Sequence, residues 1–301
     1  MSMTGRLDWD DLRYLLAVAR AGRVSLAAKR LGVDHSTVIR RIGVLEEALG
    51  ARLVDRGPTG YDLTDRGVTL VGAAEQMETA ALGALDQISG VDTQISGAVR
   101  IGAPDGFGTL FLAGRLGRLI GLHPGLELQL VAMPRVFSLS KREADLAISL
   151  SPPRSGRLVA SKLTDYRLGL YGSDAYLARR GTPTQVEDLP YHSFIGYIDD
   201  LLYTPELDYL AEIHPGIRAG LRSAGLVAQL QAARSGFGLC VLPHFAAAAE
   251  PGLVPVLPGV VALVRTLYLL THSDLKDLPR IRAVSRFVVE ETRKARDLFM
   301  P

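Results

Sequence analysis

The residues best suited to chemistry stand together at positions 35–41, HSTVIRR. His35, Ser36, Thr37 and Arg40 carry donors and acceptors of the kind that read base edges. An arginine can grip guanine with two bonds, and a serine or threonine can serve several bases. Arg41, Arg52 and Arg56 supply positive charge suited to phosphates, with Arg56 near a minor groove if the segment around it forms a wing. Ile39 has two readings: contact with a thymine methyl, or filler against a preceding helix. Taken singly, each arginine is equally well a solvated side chain or half of a surface ion pair.

Position is what favours nucleic acid. The stretch VSLAAKRLGVDHSTVIRRIG, residues 24–43, has the spacing of two short helices around a tight turn. Leu26, Ala27, Ala28 and Leu31 form the expected apolar stripe of the first helix. Gly32 can take positive φ at little cost. Val33 plugs the space between the helices, and Asp34 stands where a side chain would cap the second. Val38, Ile42, Leu45 and Leu49 recur in steps of four, three and four, which predicts one buried face. The opposite, basic and small-polar face then has the shape for a major groove.

A helix from about Trp9 to Ala21, with Leu12, Leu15, Leu16 and Ala19 inward, precedes this pair. After it, Arg52–Val54, a turn at Gly57–Gly60 and Tyr61–Leu63 predict a small β-wing, with an irregular loop as the alternative. Thr64 offers a cap to a long helix running to about Ser89. Its narrow seam of Gly67, Leu70, Ala74, Met77, Ala81, Ala84 and Ile88 suits pairing with a second chain, or packing on its own domain. Ser89–Gly97 is polar and flanked by glycine, which suggests a hinge.

The chain has 301 residues and a net charge of +2. Residues 1–66 hold 11 Lys/Arg and 9 Asp/Glu, so the whole excess lies there. Two charges are few, but phosphate contacts need basic groups on one surface, not a large net charge. The acidic start at Asp8, Asp10 and Asp11 argues against a signal peptide, and prolines and charges interrupt the apolar run at 239–264, so no membrane span is expected. One cysteine, Cys240, cannot form an internal disulfide; a reduced, cytoplasmic setting fits.

Beyond residue 97 the texture changes to alternating strands and helices, which implies an α/β architecture. Strands are expected near 98–101, 126–131, 145–149, 168–171, 194–197, 216–220, 238–242 and 265–271, and helices at about 108–122, 173–180, 224–235 and 275–298. Enzymatic motifs are poor. Cys240 lies in the apolar run GFGLCVLP, where a buried, inert thiol is the simpler reading. His123, His192, His214, His244 and His272 show no paired metal-ligand spacing, and the GFG fragments at 106–108 and 236–238 complete no dinucleotide fingerprint.

The N-terminal third resembles the LysR-type transcriptional regulators. The resemblance runs through AA at 27–28, LGV at 31–33, STVIRRIGVLEEALGARLVDR at 36–56 and LTDRG at 63–67. It extends less sharply through HPG at 123–125, ADLAI at 144–148, YGSDAYL at 171–177 and SGFGLCVLP at 235–243. Ile39 departs from the serine common at its position in the family, and Val54 from a frequent aromatic. The resemblance implies a winged helix-turn-helix DNA-binding domain at 1–65 and a linker and dimerisation helix at 66–92. At 93–301 it implies an α/β, periplasmic-binding-protein-like effector domain. The latter would comprise subdomain I, about 97–160 and 268–301, and subdomain II, about 161–267, crossed twice by the chain. The implied partners are promoter DNA with an interrupted palindrome, a second copy in a homodimer or homotetramer, and a small-molecule effector. No metal, catalytic residue or resident cofactor is implied.

For the effector, the segment Pro104–Thr109 follows the first strand of the α/β part and opens a helix. Asp105, Gly106, Phe107 and Thr109 are candidates: exposed N–H groups there could hold an anion, with the Thr109 hydroxyl helping. Asp105 brings negative charge to the same place. It either caps the helix and points away or selects a ligand with a donor group. The resemblance places Ser149, Ser151 and Ser223 similarly, and Tyr203 and Phe237 are candidates to line the cleft. Each is equally well a cap or a core residue. Two other functions compete: a constitutive DNA-binding oligomer without effector response, and a cytoplasmic solute-binding α/β protein.

Overall fold

The computed structural model describes residues 8–57, 60–88, 95–139, 143–153 and 158–301. The chain forms two compact units, divided between Val91 and Asp92.

The first unit begins with three helices, α1 (Trp9–Ala21), α2 (Val24–Leu31) and α3 (His35–Leu49). Leu12, Leu15, Leu16 and Val18, then Val24, Ala27 and Ala28, then Val38, Ile42 and Leu45 bury into one core. Two expected core positions do not. Leu26 is 40% and Leu49 37% exposed. The buried stripe of α2 runs through Val24, Ala27 and Ala28, and Leu26 lies about 200° around the helix from Val24. Leu49 is the last residue of α3. Gly32 takes φ +67°, the left-handed turn between α2 and α3. Asp34 caps α3 through its backbone carbonyl, which accepts from Thr37 N and Val38 N at 3.0 and 3.3 Å. Its side chain makes no capping bond, contrary to expectation.

A hairpin follows, β1 (Val54–Gly57) against β2 (Gly60–Leu63), with Val54 opposite Leu63 and Arg56 opposite Tyr61. The wing is therefore present, though Arg52 stays outside its strand. Thr64 starts α4 (Asp65–Ile88) as expected: its Oγ1 accepts from Gly67 N at 3.0 Å and donates to the Arg52 carbonyl at 2.8 Å. The first half of the expected seam packs within its own unit. Ala74 is buried in the core and Leu70 packs against it, while Arg20 of α1 grips Glu78 with bonds of 3.1 and 2.7 Å. Met77 stays exposed. The side chains of Ala84 and Ile88, and Ser89–Gln94 of the expected hinge, lie outside the described residues.

The second unit starts with β3 (Gly97–Ala103) and a wide, π-type turn at Phe107–Leu112 that runs into α5 (Ala113–Leu122). Then come β4 (Leu126–Ala132), parallel to β3, and β5 (Leu146–Ser149) on its other side. The long β6 (Leu158–Ser173) leads to α6 (Asp174–Arg180), β7 (Phe194–Gly196), α7 (Leu210–Ile213), β8 (Ala219–Arg222) and α8 (Leu226–Arg234). β9 (Leu239–Pro243), α9 (His244–Ala247) and β10 (Leu253–Val256) follow. β11 (Ala262–His272) returns to α10 (Pro279–Lys294) and α11 (Arg296–Phe299). The strands lie in the order β4-β3-β5-β11-β6-β9-β7-β8, with β10 on β6.

β6 and β11 pair antiparallel from one end of the sheet to the other, and their register shifts between Leu267 and Tyr268. They are the two passages of the chain between its halves. Only the inner end of β6 was expected as a strand; its outer half is largely exposed and lacks the alternation that marks a half-buried strand. β10 was not expected either. It carries Pro255, which a sheet tolerates at an edge. Phe107, Phe111 and Phe299 form an aromatic knot, with ring centroids 4.8–6.1 Å apart, that joins the turn after β3 to the C-terminal α11. Among the described residues no helix is long and apolar enough to cross a membrane, and no cluster of side chains is placed to hold a metal.

Candidate nucleic-acid interface and ligand cleft

α3 presents His35, Ser36 and Arg40 to solvent, with Thr37 half-buried beside them. Arg40 makes no hydrogen bond or ion pair among the described residues, so its guanidinium is free to dock. Arg41 is different. It donates to the Asp11 carboxylate at 3.0 Å and lies 3.4 Å from Asp8, with its guanidinium 5.6 Å from the centre of the Tyr14 ring. Asp11 is only 1% exposed. An unpaired buried carboxylate is costly, so Arg41 serves to neutralise it and to tie α3 to α1. The bond to Asp11 holds that guanidinium above its ordinary pKa. The phosphate contact expected of Arg41 gives way to this structural role.

Ile39 is half-buried and packs against the core of the first unit, which favours filler over a base contact. Arg52 is exposed in the loop before β1. Arg56 stands in β1, but its side chain lies outside the described residues. Lys29 and Arg30, exposed on the last turn of α2, add positive charge that sequence reasoning passed over; their position off the buried stripe was the available signal.

In the second unit the segment after β3 meets the start of α8. Asp105 Oδ2 accepts a bond from Val227 N at 3.1 Å. A Cβ on Gly106 would stand 2.2 Å from Leu226 Cδ2, and one on Gly225 2.8 Å from Asp105 Oδ2. A side chain at either glycine would displace the end of the facing Leu226 or Asp105 side chain. Asp105 does cap a helix, but the helix belongs to the opposite half. Burial pushes its pKa above the ordinary 3.8, against the opposing pull of N–H groups at Val227, Gly106 and Leu226.

Beside this contact lies a small cavity of about 30 Å³ walled by Asp105, Gly106, Phe107, Tyr166, Tyr197 and Tyr203, among others. Among the described residues the hydroxyls of Tyr166 and Tyr203 have no hydrogen-bond partner. Burial pushes the phenols of Tyr166, Tyr197 and Tyr203 up, and the Asp105 charge adds to this at Tyr197 and Tyr203.

A second cavity of about 20 Å³ shares Pro104, Leu150 and Tyr203 with the first and adds Arg135, Ser149, Ser151 and Thr204. Ser149 Oγ donates to the Ser151 carbonyl at 2.7 Å. Ser151 Oγ reaches Thr204 Oγ1 at 2.8 Å and donates to the Glu206 carboxylate at 3.2 Å, a second bridge between the halves.

The other candidates lie elsewhere. Ser223 Oγ accepts from Gly225 N at 3.2 Å and shapes the turn before α8. Thr109 is exposed, and Phe237 is 39% exposed; neither walls either of these two cavities. Phe107 lines the first cavity as part of the aromatic knot. Cys240 is fully buried, and burial pushes its thiol up, which leaves it a poor nucleophile. Sequence reasoning missed Tyr166, Tyr197, Thr204 and Glu206. The alternation Tyr166, Leu168, Leu170 marked the first as inward-facing, but not what it would face.

Residues 9–68 match the family model described as bacterial regulatory helix-turn-helix protein, lysR family, and residues 92–293 match that of the LysR substrate binding domain. The chain is similar to the Mau operon transcriptional activator of Paracoccus denitrificans, with 29% identity across 94% of this chain and 96% of that one. It is 30% identical to the regulator PtxR of Pseudomonas aeruginosa over 84% of this chain and 83% of that one. Its fold is that of full-length OxyR from Pseudomonas aeruginosa, with a TM-score of 0.70 at 20% identity, covering 96% and 98% of the two chains.

Proposed function

We propose, for a chain that belongs to the LysR family of bacterial transcriptional regulators, that a small molecule in the cleft of the second unit governs its hold on promoter DNA. The protein is a LysR-type DNA-binding transcriptional regulator: its helix-turn-helix binds DNA and its second domain belongs to the family's substrate-binding type. The finer reading is that α3 enters a major groove with His35, Ser36, Thr37 and Arg40 toward the bases. Two copies bind the two halves of a palindrome. Exposed Val68 and Met77 on α4 support self-association through that helix. We read the protein as cytoplasmic and without catalytic activity or a resident cofactor, in keeping with relatives that are transcriptional regulators.

The observation that carries the effector reading is the contact of Gly106 and Asp105 with the first turn of α8. It brings two halves joined by only two strands together beside a cavity, so occupation of that cavity bears directly on their closure. The test is a footprint on the DNA upstream of the protein's own gene, with and without a low-molecular-weight cell fraction. The companion variant is Leu150→Trp, which fills both cavities. The expected result is a footprint that changes with the fraction in the wild type but not in the variant. A footprint indifferent to the fraction, or one that changes equally in both proteins, overturns the effector reading. No protected site at all overturns the operator reading.

A further inference from the structure

We infer that the effector cleft takes a cation: a ligand with a protonated amine or guanidinium head on a small apolar body. This rests on the reading of the cleft as the effector site and names the chemistry it selects. Among the described residues the walls of the first cavity carry one charged group, Asp105, and no Lys, Arg or His. The aromatic side chains of Phe107, Tyr166, Tyr197, Tyr203 and Phe245 line the same cavity, and aromatic rings are suited to holding a desolvated cation.

Among the described residues Asp105 has backbone N–H donors but no cationic partner, and burial outweighs those donors in setting its pKa. A carboxylate offers about four acceptor sites, and among the described residues only Val227 N meets hydrogen-bond geometry to it, which leaves lone pairs for a ligand's N–H groups. A protonated amine beside it would offset its desolvation. Tyr166 is 5% exposed and its hydroxyl has no partner among the described residues, which leaves an acceptor open on the same cavity.

The same features reject an anion. The N-terminal N–H groups of α8, where a small carboxylate would bind, already face Asp105. In the adjoining cavity Ser151 donates to Glu206, and Arg135 pairs with Glu143 at 3.3 Å, so its charge is countered there. A polar tail can still reach the Ser149 hydroxyl on that side.

The probes are methylamine and ethylamine against formate, acetate and ethanol, small enough for a cavity of about 30 Å³, titrated calorimetrically into the full-length protein without DNA. The ammonium probes are expected to bind and the carboxylates not. Asp105→Asn weakens ammonium binding by about tenfold or more, and Tyr166→Phe by a few-fold. Phe237→Ala, outside both cavities, leaves it unchanged. Circular dichroism establishes that each variant is folded, and Tyr166→Phe carries the test if Asp105→Asn is not.

Carboxylate binding without ammonium binding overturns the assignment. So does ammonium binding that survives both Asp105→Asn and Tyr166→Phe, or the absence of binding by every probe. The footprint with Leu150→Trp is independent of probe class. A footprint response lost in that variant, beside failed ammonium binding, removes the cation and leaves the effector cleft standing.

Discussion

Gly106→Ala tests the closure of the second unit directly. The added Cβ would stand 2.2 Å from Leu226 Cδ2, and the same side chain's Cγ and Cβ lie at only 3.2 and 3.3 Å. Rotating the end of Leu226 relieves the shortest contact but not those with its stem, so α8 must give by a few tenths of an ångström. Overpacking of this kind costs about 1–3 kcal/mol. In a unit of this size each kcal/mol lowers Tm by about 2–4 °C, so a fall of about 2–12 °C is expected. Leu226→Ala alone empties a buried site and costs about 2–5 kcal/mol. In the double variant the new methyl occupies space that Leu226 vacates. The pair is therefore more stable than the sum of the single effects by about 1–3 kcal/mol. Urea unfolding of the full-length protein measures this, followed by tyrosine circular dichroism, since the sole tryptophan, Trp9, belongs to the first unit. Effects that add to within about 0.5 kcal/mol refute the contact between Gly106 and Leu226.

Arg40→Ala is expected to leave stability unchanged and to cost about 1–3 kcal/mol of discrimination at one base pair, measured by fluorescence anisotropy on operators varied base by base. Arg41→Ala is expected to lower the urea midpoint while leaving the salt dependence of DNA binding unchanged. A salt slope reduced by about one would instead return Arg41 to a phosphate. Ile39→Ser is expected to destabilise the first unit and to keep the order of operator preferences; a reordered set would show that Ile39 reads sequence. The raised pKa of Asp105 means that the folded protein binds that proton more tightly than the unfolded chain does. Its contribution to stability is therefore fully present below the ordinary value of 3.8 and is lost as pH rises through the higher folded value. Thermal unfolding of ligand-free Asp105→Asn across this range should gain on the wild type as pH rises, and parallel profiles would contradict the shift.

The helices of the first unit were legible because their signals are local. α1 starts and ends where its apolar spacing does, and Thr64 caps α4 with its own hydroxyl. Leu26 was misplaced within an otherwise correct helix, since a run of apolar letters conceals which one leaves the stripe. The outer half of β6 was illegible for a different reason. It is held by its pairing with β11, about a hundred residues away, and not by any pattern of its own.

The candidate sites divide in the same way. His35, Ser36 and Arg40 reach solvent because the spacing of Val38, Ile42 and Leu45 turns the opposite face of α3 inward, and that much follows from contiguous residues. The sequence by itself determined the helix-turn-helix, the wing, the alternation of strands and helices, and through their motifs the family. Only the tertiary structure decided that Arg41 is committed to Asp11 while Arg40 is free. Only it decided that Asp105 faces the start of α8, 122 positions along the chain. The physical reason is range. Helical periodicity and caps act within a few residues, whereas a carboxylate's partner is chosen by the strands that carry two distant segments to the same place.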